Sequence, residues 1–310
     1  MTHEAVQANV LRALIEMEPA ALCSLSFSIL EIGAAPLEGA IEPFYQLTDI
    51  FPESRIVSLE VDESLCIDLN RKAKDGHQFY PAALGRTEET RQFFQTTDPI
   101  CSSLYRPNEE LLARYYNMES VVLERVTSID TVSLDHFVAK KMIDDVDFIK
   151  IDIQGAELEV FQGGMSTLRS VPVIVSEVEF VPQYINQPLF GDVCSFLMAQ
   201  GFMFHKFLGM AGRALRPVLM HNDRNSASQH IWTDAMFIKD ILRLSELPVE
   251  KLLKMGILSY LYNSPDVAYS CFHAADEKGQ TDIGLKFLQT GRNIGAKKPA
   301  RRRWLPRFRH

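Results

Sequence analysis

The stretch "DFIKIDIQGAELEVFQGG", residues 147–164, decides the fold of this 310-residue chain. It opens with an apolar run typical of a buried strand, and charged side chains follow around Gly155. Successive side chains of a strand point to opposite faces, so Lys150 and Asp152 share one face. Buried charges are costly unless they pair or take part in chemistry. The stretch therefore predicts a strand, a turn and a helix, with charges gathered at the carboxyl end of the strand.

Similar apolar runs recur along the chain and alternate with helical patterns. They predict strands at residues 27–33, 55–61, 77–84, 147–153, 171–179, 202–207 and 233–239. Residues 85–146 add alternating stretches that favour extra strands or a hairpin. This order predicts an α/β fold with a mainly parallel sheet and helices on both of its faces.

The chain divides into four predicted segments: an N-terminal helical segment (1–26), a main α/β domain (27–240), a helical hairpin (247–292) and a basic tail (293–310). In the hairpin, Gly256, Ala268, Phe272 and Ala275 fall where a tetratricopeptide repeat places its packing residues. Two interpretations stay open. The hairpin is a docking or oligomerisation element, or it packs on the main domain.

Composition narrows the function classes. Hydrophobic residues make up 46% and the net charge is −8, which favours a globular protein and argues against nucleic acid as a partner. The five cysteines show no CxxC pair, as expected of free thiols in a reducing compartment. We find neither a signal peptide pattern nor an apolar run long enough to span a bilayer. We therefore expect a cytoplasmic protein with no integral membrane segment.

Acidic residues end the first two strands, where ligands bind in parallel sheets. Glu31 and Gly33 end the first strand, but Ala35 breaks the GxGxxG pattern of dinucleotide-binding proteins. That break argues against the first alternative, a nicotinamide-dependent oxidoreductase. Glu60 ends the second strand, at the position from which a carboxylate binds ribose hydroxyls. The alternative for Glu60 is a helix-start residue, although Asp62 can take that role.

The later strands offer candidates for chemistry. Glu177 and Glu179 share a face beside Asp152 if their strands are neighbours, and such a cluster suits a divalent metal or a general base. Equally, each is a surface acid at a strand end. His205 lies within the sixth strand, where a histidine is more often a core group than a catalyst.

Together these motifs resemble the FkbM-type methyltransferases. The opening stretch looks like the signature of that family, and "ILEIGA", "RIVSLEVDESLCIDLN", "AALG" and "SLDHF" occur in the family order, over residues 28–239. The resemblance implies a Rossmann-like, class I methyltransferase fold with seven strands, the last of them antiparallel. It implies S-adenosyl-L-methionine as cofactor and methyl transfer to a hydroxyl oxygen. The chain departs from the family pattern where Glu31 replaces Asp and where "APLEG" replaces an Asn-Gly loop.

The resemblance also implies roles for individual residues. The cofactor-binding set is Glu31, Gly33, Ala34, Glu60, Val61, Ala83, Leu84 and Asp152. Within it, Glu31 and Gly33 line the methionine end, Glu60 binds ribose, Ala83 and Leu84 lie near adenine, and Asp152 lies beside the sulfonium. The candidate catalytic residues are Asp152, Glu177, His205 and Glu157.

We therefore predict an S-adenosylmethionine-dependent O-methyltransferase acting on a small molecule or glycan, such as a sugar, a glycolipid or a polyketide. A divalent metal is an open addition, without assigned ligands. The alternative is a non-catalytic cofactor-binding scaffold that acts through its C-terminal helices, which would bind a protein partner or a second copy of the chain.

Overall fold

A computed structural model describes residues 3–34, 42–143, 145–219, 221–223 and 227–295. Ala35 and Gly39, and most of the predicted basic tail, lie outside these residues. The main sheet contains eight strands. They are β1 Ser28–Ile32, β2 Arg55–Glu60, β3 His77–Pro81, β7 Phe148–Ile151, β8 Val173–Glu179, β9 Phe202–Phe207, β10 Ala211–Arg213 and β11 Gln229–Lys239. A second sheet contains three strands: β4 Ala83–Gly85, β5 Glu89–Thr96 and β6 Leu123–Ser133.

The strand order of the main sheet is that of a Rossmann-like α/β fold. β3, β2, β1, β7 and β8 are parallel neighbours in that order, and β11 pairs antiparallel with β8, β9 and β10. The fold class and the antiparallel last strand are thus confirmed. The count of seven strands is one short, because β10 is a three-residue strand inside a polar stretch that carries no strand pattern.

The second sheet explains the long insertion after β3. β5 and β6 form the expected antiparallel pair, and β4 pairs parallel with β6. The strand predicted at 77–84 is therefore two strands, because its second half leaves β2 and joins another sheet. β4 lies beside the carboxyl end of β2, since Ala82 N donates to Glu60 O at 3.0 Å.

The helices are short around the sheet and longer at the two ends of the chain. They are α1 His3–Met17, α2 Pro19–Leu22, α3 Gln46–Ile50, α4 Glu63–Lys72, α5 Glu109–Leu112, α6 Leu134–Lys140, α7 Glu157–Gln162, α8 Thr167–Ser170, α9 Phe190–Ala199, α10 Val249–Leu261, α11 Pro265–Gly279 and α12 Ile283–Gly295. Single 3₁₀ turns form at Pro43–Tyr45, Pro99–Cys101, Glu119–Val121 and Ile241–Glu246. In the described part of the chain, no helix has the length and apolarity needed to cross a membrane.

Two apolar cores cover the two faces of the main sheet. Ile29, Phe148 and Met236 face α1, α3 and the helices α10–α12. On the opposite face, Ile149 and Phe237 pack with α6–α9. Each strand alternates between the two cores, so the central strands are buried on both sides, as continuous apolar runs predict.

The C-terminal helices belong to the same core as the sheet, as the packed-hairpin interpretation predicts. Gly256 of α10 faces the ring of Phe272 on α11 so closely that an added Cβ would lie 2.6 Å from Cε1. Polar contacts fix the helices as well: the fully buried Asp147, just before β7, binds Nζ of Lys251 at 2.6 Å and of Lys254 at 3.0 Å. Removing one partner of such a group would leave a buried charge uncompensated. The apolar faces of α10 and α11 are therefore already occupied.

Candidate active site

Two cavities meet at the carboxyl ends of the central strands. The first, called the Glu60 cavity, has a volume of about 200 Å³. The second, called the Trp232 cavity, has a volume of about 580 Å³. Four residues line both cavities: Gly33, Ile100, Asp152 and Gln154. This position is where parallel α/β sheets bind ligands, and the shared residues mark the junction between the cavities.

The Glu60 cavity combines apolar walls with one anchored carboxylate. Apolar side chains come from β2 and the residue after it, from α4, β4 and β5, and from the segment after β5: Leu59, Val61, Leu65, Ala83, Leu84, Phe93 and Leu104. Oε1 of Glu60 accepts hydrogen bonds from the backbone N–H groups of Val61, at 2.7 Å, and Asp62, at 3.0 Å. These bonds fix the direction of the carboxylate. Asp62 meanwhile caps α4 by accepting from Leu65 N at 3.0 Å, so the alternative helix-start role belongs to Asp62.

The junction depends on the absence of a side chain at Gly33. Its φ is +84°, in the region that favours glycine, and a Cβ there would lie 1.8 Å from the carbonyl oxygen of Asp152. The ends of β1 and β7 can therefore approach each other only with glycine at this position.

Asp152 follows β7 and carries the only cavity-lining carboxylate that borders both cavities among the described residues. Its side chain is 31% exposed. Oδ1 accepts from Gln154 Nε2 at 2.9 Å, and Oδ2 lies 3.8 Å from Lys150 Nζ. Lys150 also donates to Asp234 Oδ1 at 2.9 Å. Burial opposes the charge of Lys150, but the carboxylates of Asp152 and Asp234 outweigh it and raise the pKa of the lysine. Lys150 thus remains a cation beside both acids.

Glu177 lies next to Asp152, because β7 and β8 are parallel neighbours as the sequence analysis required. Its Oε2 accepts from Gln154 Nε2 at 2.8 Å, so one amide joins the two acids. Burial, together with the nearby charges of Asp152 and Glu179, raises the pKa of Glu177 well above its ordinary value. The carboxyl group of Glu177 is therefore harder to ionise than an ordinary glutamate side chain.

The Trp232 cavity is wider and mostly polar on one side. Asp98, Glu177 and Asp234 line it together with the shared junction residues. The guanidinium of Arg213 lies 4.6 Å from the ring centroid of Trp232, and both residues line the cavity. A mixed wall of carboxylates, an amide and an aromatic ring suits a ligand with several hydroxyl groups and an apolar face.

Six of the eight predicted cofactor-binding residues line the Glu60 cavity: Gly33, Glu60, Val61, Ala83, Leu84 and Asp152. Two lie elsewhere. Glu31 is buried on the α3 face of β1, where Tyr45 and Ser58 donate to it at 2.6 Å and 2.5 Å. Ala34 is buried against Cys66 and Phe79. The sequence alone does not show that Tyr45 and Ser58 surround Glu31, because both contacts depend on how the chain folds around β1.

Two predicted catalytic residues also take other positions. Glu157 begins α7, and its Oε1 accepts from Ile153 N at 2.8 Å. It therefore supports the turn after Asp152 and borders neither cavity. His205 lies on β9, with Nε2 2.7 Å from Ser264 Oγ at the turn between α10 and α11. At this position His205 borders neither cavity.

The acids do not converge on a metal position in the part of the chain that the structure describes. No group of three His, Cys, Asp or Glu side chains there has an arrangement that would hold an ion. Asp152 and Glu177 share an amide donor instead. A divalent metal consequently has no ligand set to which it can be assigned.

Glu157 should make the protein less stable as the pH rises. Burial raises its pKa to about 7, even though the bond from Ile153 N works in the opposite direction. The folded state therefore binds a proton more tightly than the unfolded state, and this contribution is complete below about pH 4.5 and lost as the pH rises through 7. For Glu157→Gln, which keeps an acceptor for Ile153, we expect the free energy of unfolding to fall less than in the wild type between pH 5 and pH 7.5, by about 2 kcal/mol.

Urea unfolding at each pH measures this difference. Glu124→Gln, an exposed acid on β6, is the control and should leave the pH dependence as in the wild type. If the free energy of unfolding of Glu157→Gln fell with pH as steeply as that of the wild type, the raised pKa of Glu157 would be contradicted.

Sequence reasoning missed Gln154, Trp232, Arg213 and Asp234. The only signal for Gln154 was its place before Gly155, at the end of a charged strand. Trp232 and Asp234 lie on β11 and Arg213 lies on β10. They reach the Trp232 cavity because β11 pairs with β8 and β10 pairs with β11.

Comparisons with known proteins identify a family and several similar solved structures. The family model for the methyltransferase FkbM domain matches residues 31–204. A solved structure of an FkbM methyltransferase from Methylobacillus flagellatus KT is similar at 14% identity and a TM-score of 0.38; the match covers 73% of this chain and 47% of that chain. The present chain thus spans about half the length of that protein.

Two further solved structures are similar. The fibrillarin/Nop5p complex matches at 15% identity and a TM-score of 0.31, over 67% of this chain and 71% of that chain. The 23S rRNA methyltransferase ErmE matches at 10% identity and a TM-score of 0.34, over 95% and 98%. A search of curated proteins returns no match.

The family match spans more than half of the chain, from Glu31 at the end of β1 to β9. It contains Glu60, Asp152 and Gln154, and thus the strand ends that form the junction. The resemblance read from the sequence motifs is confirmed, and the oxidoreductase alternative is set aside. This chain belongs to the FkbM methyltransferase family.

Proposed function

We propose that the chain transfers a methyl group from S-adenosyl-L-methionine to a hydroxyl oxygen of a small molecule or glycan. The observation that carries the proposal is the junction of two cavities at Asp152. One cavity has an anchored carboxylate and apolar walls, and the other has polar groups and an aromatic wall. A transferase needs two such compartments, because cofactor and acceptor must meet at one point.

The residues of the Glu60 cavity suit the parts of this cofactor. Glu60 offers a fixed carboxylate oxygen to ribose hydroxyls, and the apolar side chains around Ala83 and Leu84 suit a flat base. A carboxylate at Asp152 favours a cationic sulfonium, whereas it would repel a phosphate. When bound, S-adenosylmethionine supplies an electrophilic methyl group.

The remaining steps belong to the side chains of the protein. Asp152 borders both cavities, so in this proposal its carboxylate takes the proton of the acceptor hydroxyl as the oxygen–carbon bond forms. The methyl–sulfur bond would break in the same step, and a neutral thioether would leave. Lys150 stabilises the Asp152 carboxylate before transfer. Glu177 accepts a hydrogen bond from Gln154 beside Asp152 and lines the acceptor side of the junction. This proposal gives no direct contact with cofactor or acceptor to the four predicted residues that line neither cavity: Glu31, Ala34, Glu157 and His205.

The acceptor is expected to bind in the Trp232 cavity. Its carboxylates and amide accept and donate hydrogen bonds to hydroxyl groups, and the ring of Trp232 offers an apolar surface. A non-catalytic scaffold is the alternative function. It has less support, since the apolar faces of α10 and α11 are buried in the core of the main sheet.

Calorimetric titration with S-adenosylmethionine tests the cofactor part of the proposal. We expect Glu60→Gln to raise the Kd about 10- to 100-fold, because the neutral amide replaces a charged acceptor of hydrogen bonds from ribose. Glu53→Gln is the matched control. Glu53 is exposed and precedes β2, at the opposite end of the same strand.

The expected result is wild-type affinity in Glu53→Gln and the loss only in Glu60→Gln. Equal affinity in all three proteins would remove Glu60 from the site. A wild type that binds neither S-adenosylmethionine nor S-adenosylhomocysteine would contradict the proposed function and favour the scaffold.

A further inference from the structure

The turn that follows Asp152 contains an unusual residue. Gln154 has φ +61° and Gly155 has φ +103°. Gly155 is suited to this backbone, but a glutamine in the left-handed region costs on the order of 1 kcal/mol, which glycine would avoid. The contacts of the Gln154 side chain show what glutamine supplies at this position and glycine would not.

That contribution is visible in the contacts of its amide. Nε2 lies 2.9 Å from Oδ1 of Asp152 and 2.8 Å from Oε2 of Glu177. Oε1 lies 2.9 Å from the hydroxyl of Tyr184. An amide nitrogen carries two N–H donors, so each of the two acids receives one. Neither a carboxylate nor a hydroxyl at this position could donate to both.

Neighbouring groups hold both the backbone and the side chain of Gln154. Ser103 Oγ donates to the backbone carbonyl oxygen of Gln154 at 2.7 Å. The Tyr184 hydroxyl lies 2.9 Å from the side-chain oxygen Oε1 and 2.7 Å from Cys101 O. Tyr184 and Ser103 are each 1% exposed, so both contacts are shielded from water. Ser103 therefore holds the turn, and Tyr184 holds the amide.

The position of Gln154 gives this arrangement a function. Together with Asp152 it lines both cavities at their junction, whereas Glu177 lines the Trp232 cavity. We propose that Gln154 is a positioning residue for methyl transfer: its amide bridges Asp152 and Glu177 and holds the Asp152 carboxylate toward the junction. The inference rests on the proposed function, in which Asp152 faces the sulfonium and the acceptor hydroxyl.

The bridge also separates the roles of the two acids. Two neighbouring carboxyl groups repel each other when both are ionised. Here one N–H of the amide and the Lys150 ammonium group, 3.8 Å from Oδ2, both face the Asp152 carboxylate. The other N–H of the amide faces Glu177. Loss of the bridge frees Asp152 to rotate, so that its carboxylate no longer points to the junction.

Binding of two probes, S-adenosylmethionine and S-adenosylhomocysteine, tests the inference without an acceptor. The probes differ by a methyl group and one positive charge at sulfur. Gln154→Gly removes the amide and relieves the left-handed backbone, and we expect it to reduce the preference for the charged probe about fivefold or more relative to the wild type. Glu60→Gln is the comparison and should weaken both probes equally.

A second variant covers the case in which Gln154→Gly does not fold. Gln154→Asn keeps an amide and suits left-handed backbone, but it is one methylene too short to reach both acids. We expect a reduced preference for the charged probe here as well. An unchanged ratio of the two Kd values in either folded variant would overturn the inference, while binding of both probes by the wild type would leave the proposed function in place.

Discussion

Replacing Asp152 with asparagine should reduce methyl transfer about 10³-fold while the protein remains folded. The variant keeps the size of the side chain, and an amide oxygen can still accept from Gln154. It cannot take the proton of the acceptor hydroxyl, and proton transfer by a positioned base contributes about 10²- to 10⁴-fold. It also lacks the negative charge that would face the sulfonium. Transfer of tritium from methyl-labelled S-adenosylmethionine to a panel of sugars, glycolipids and polyketides measures the loss.

Asp75→Asn is the matched control. Asp75 is exposed in the turn before β3, at the edge of the sheet opposite the cavities. Its transfer rate should equal that of the wild type, and thermal unfolding should show that both variants are folded. Wild-type turnover by Asp152→Asn would show that another group takes the proton, and Glu177 would be the next residue to replace.

Replacing Gly33 with alanine should destabilise the fold and abolish cofactor binding together. The new Cβ would lie 1.8 Å from the carbonyl oxygen of Asp152 and 3.1 Å from Cγ2 of Ile153. The backbone at Asp152 cannot move away without separating the ends of β1 and β7. A φ of +84° is also unfavourable for alanine. We expect the free energy of unfolding to fall by about 3 kcal/mol or more. Urea unfolding gives this value, and calorimetry gives the loss of binding.

Gly191→Ala shows what the same substitution does in open space. Gly191 lies in the first turn of α9, and nothing lies within 4 Å of an added Cβ. Alanine is the better helix former, so this variant should be as stable as the wild type or more stable by up to about 1 kcal/mol. If Gly33→Ala behaved in the same way, the close approach of β1 and β7 would be contradicted.

The sequence predicted the strands well because buried parallel strands are apolar throughout. The runs at 147–153 and 171–179 became β7 and β8, with ends trimmed where the chain turns. β7 ends at Ile151 because Asp152 begins the departure from the sheet, and Gln154 and Gly155 then reverse the chain. The split of the 77–84 run was not visible, since both halves are apolar and only the change of partner divides them.

The positions of the candidate residues were predictable where a residue ends a strand of the parallel sheet. Glu60, Gly33 and Asp152 each follow that rule and line the cavities. Glu31 follows the same pattern but hydrogen-bonds to Ser58 on the neighbouring strand, and it lines neither cavity. The same rule does not locate Trp232. That residue lines the Trp232 cavity because β11 pairs antiparallel with β8.

A crystal structure with S-adenosylhomocysteine would test the central claim most directly. We predict that the ribose hydroxyls bind the Glu60 carboxylate, with the base between the apolar side chains near Ala83 and Leu84. The sulfur should then lie at the junction beside Asp152, open toward the Trp232 cavity. A ligand bound outside the Glu60 cavity, or one whose sulfur lies away from Asp152, would contradict the account.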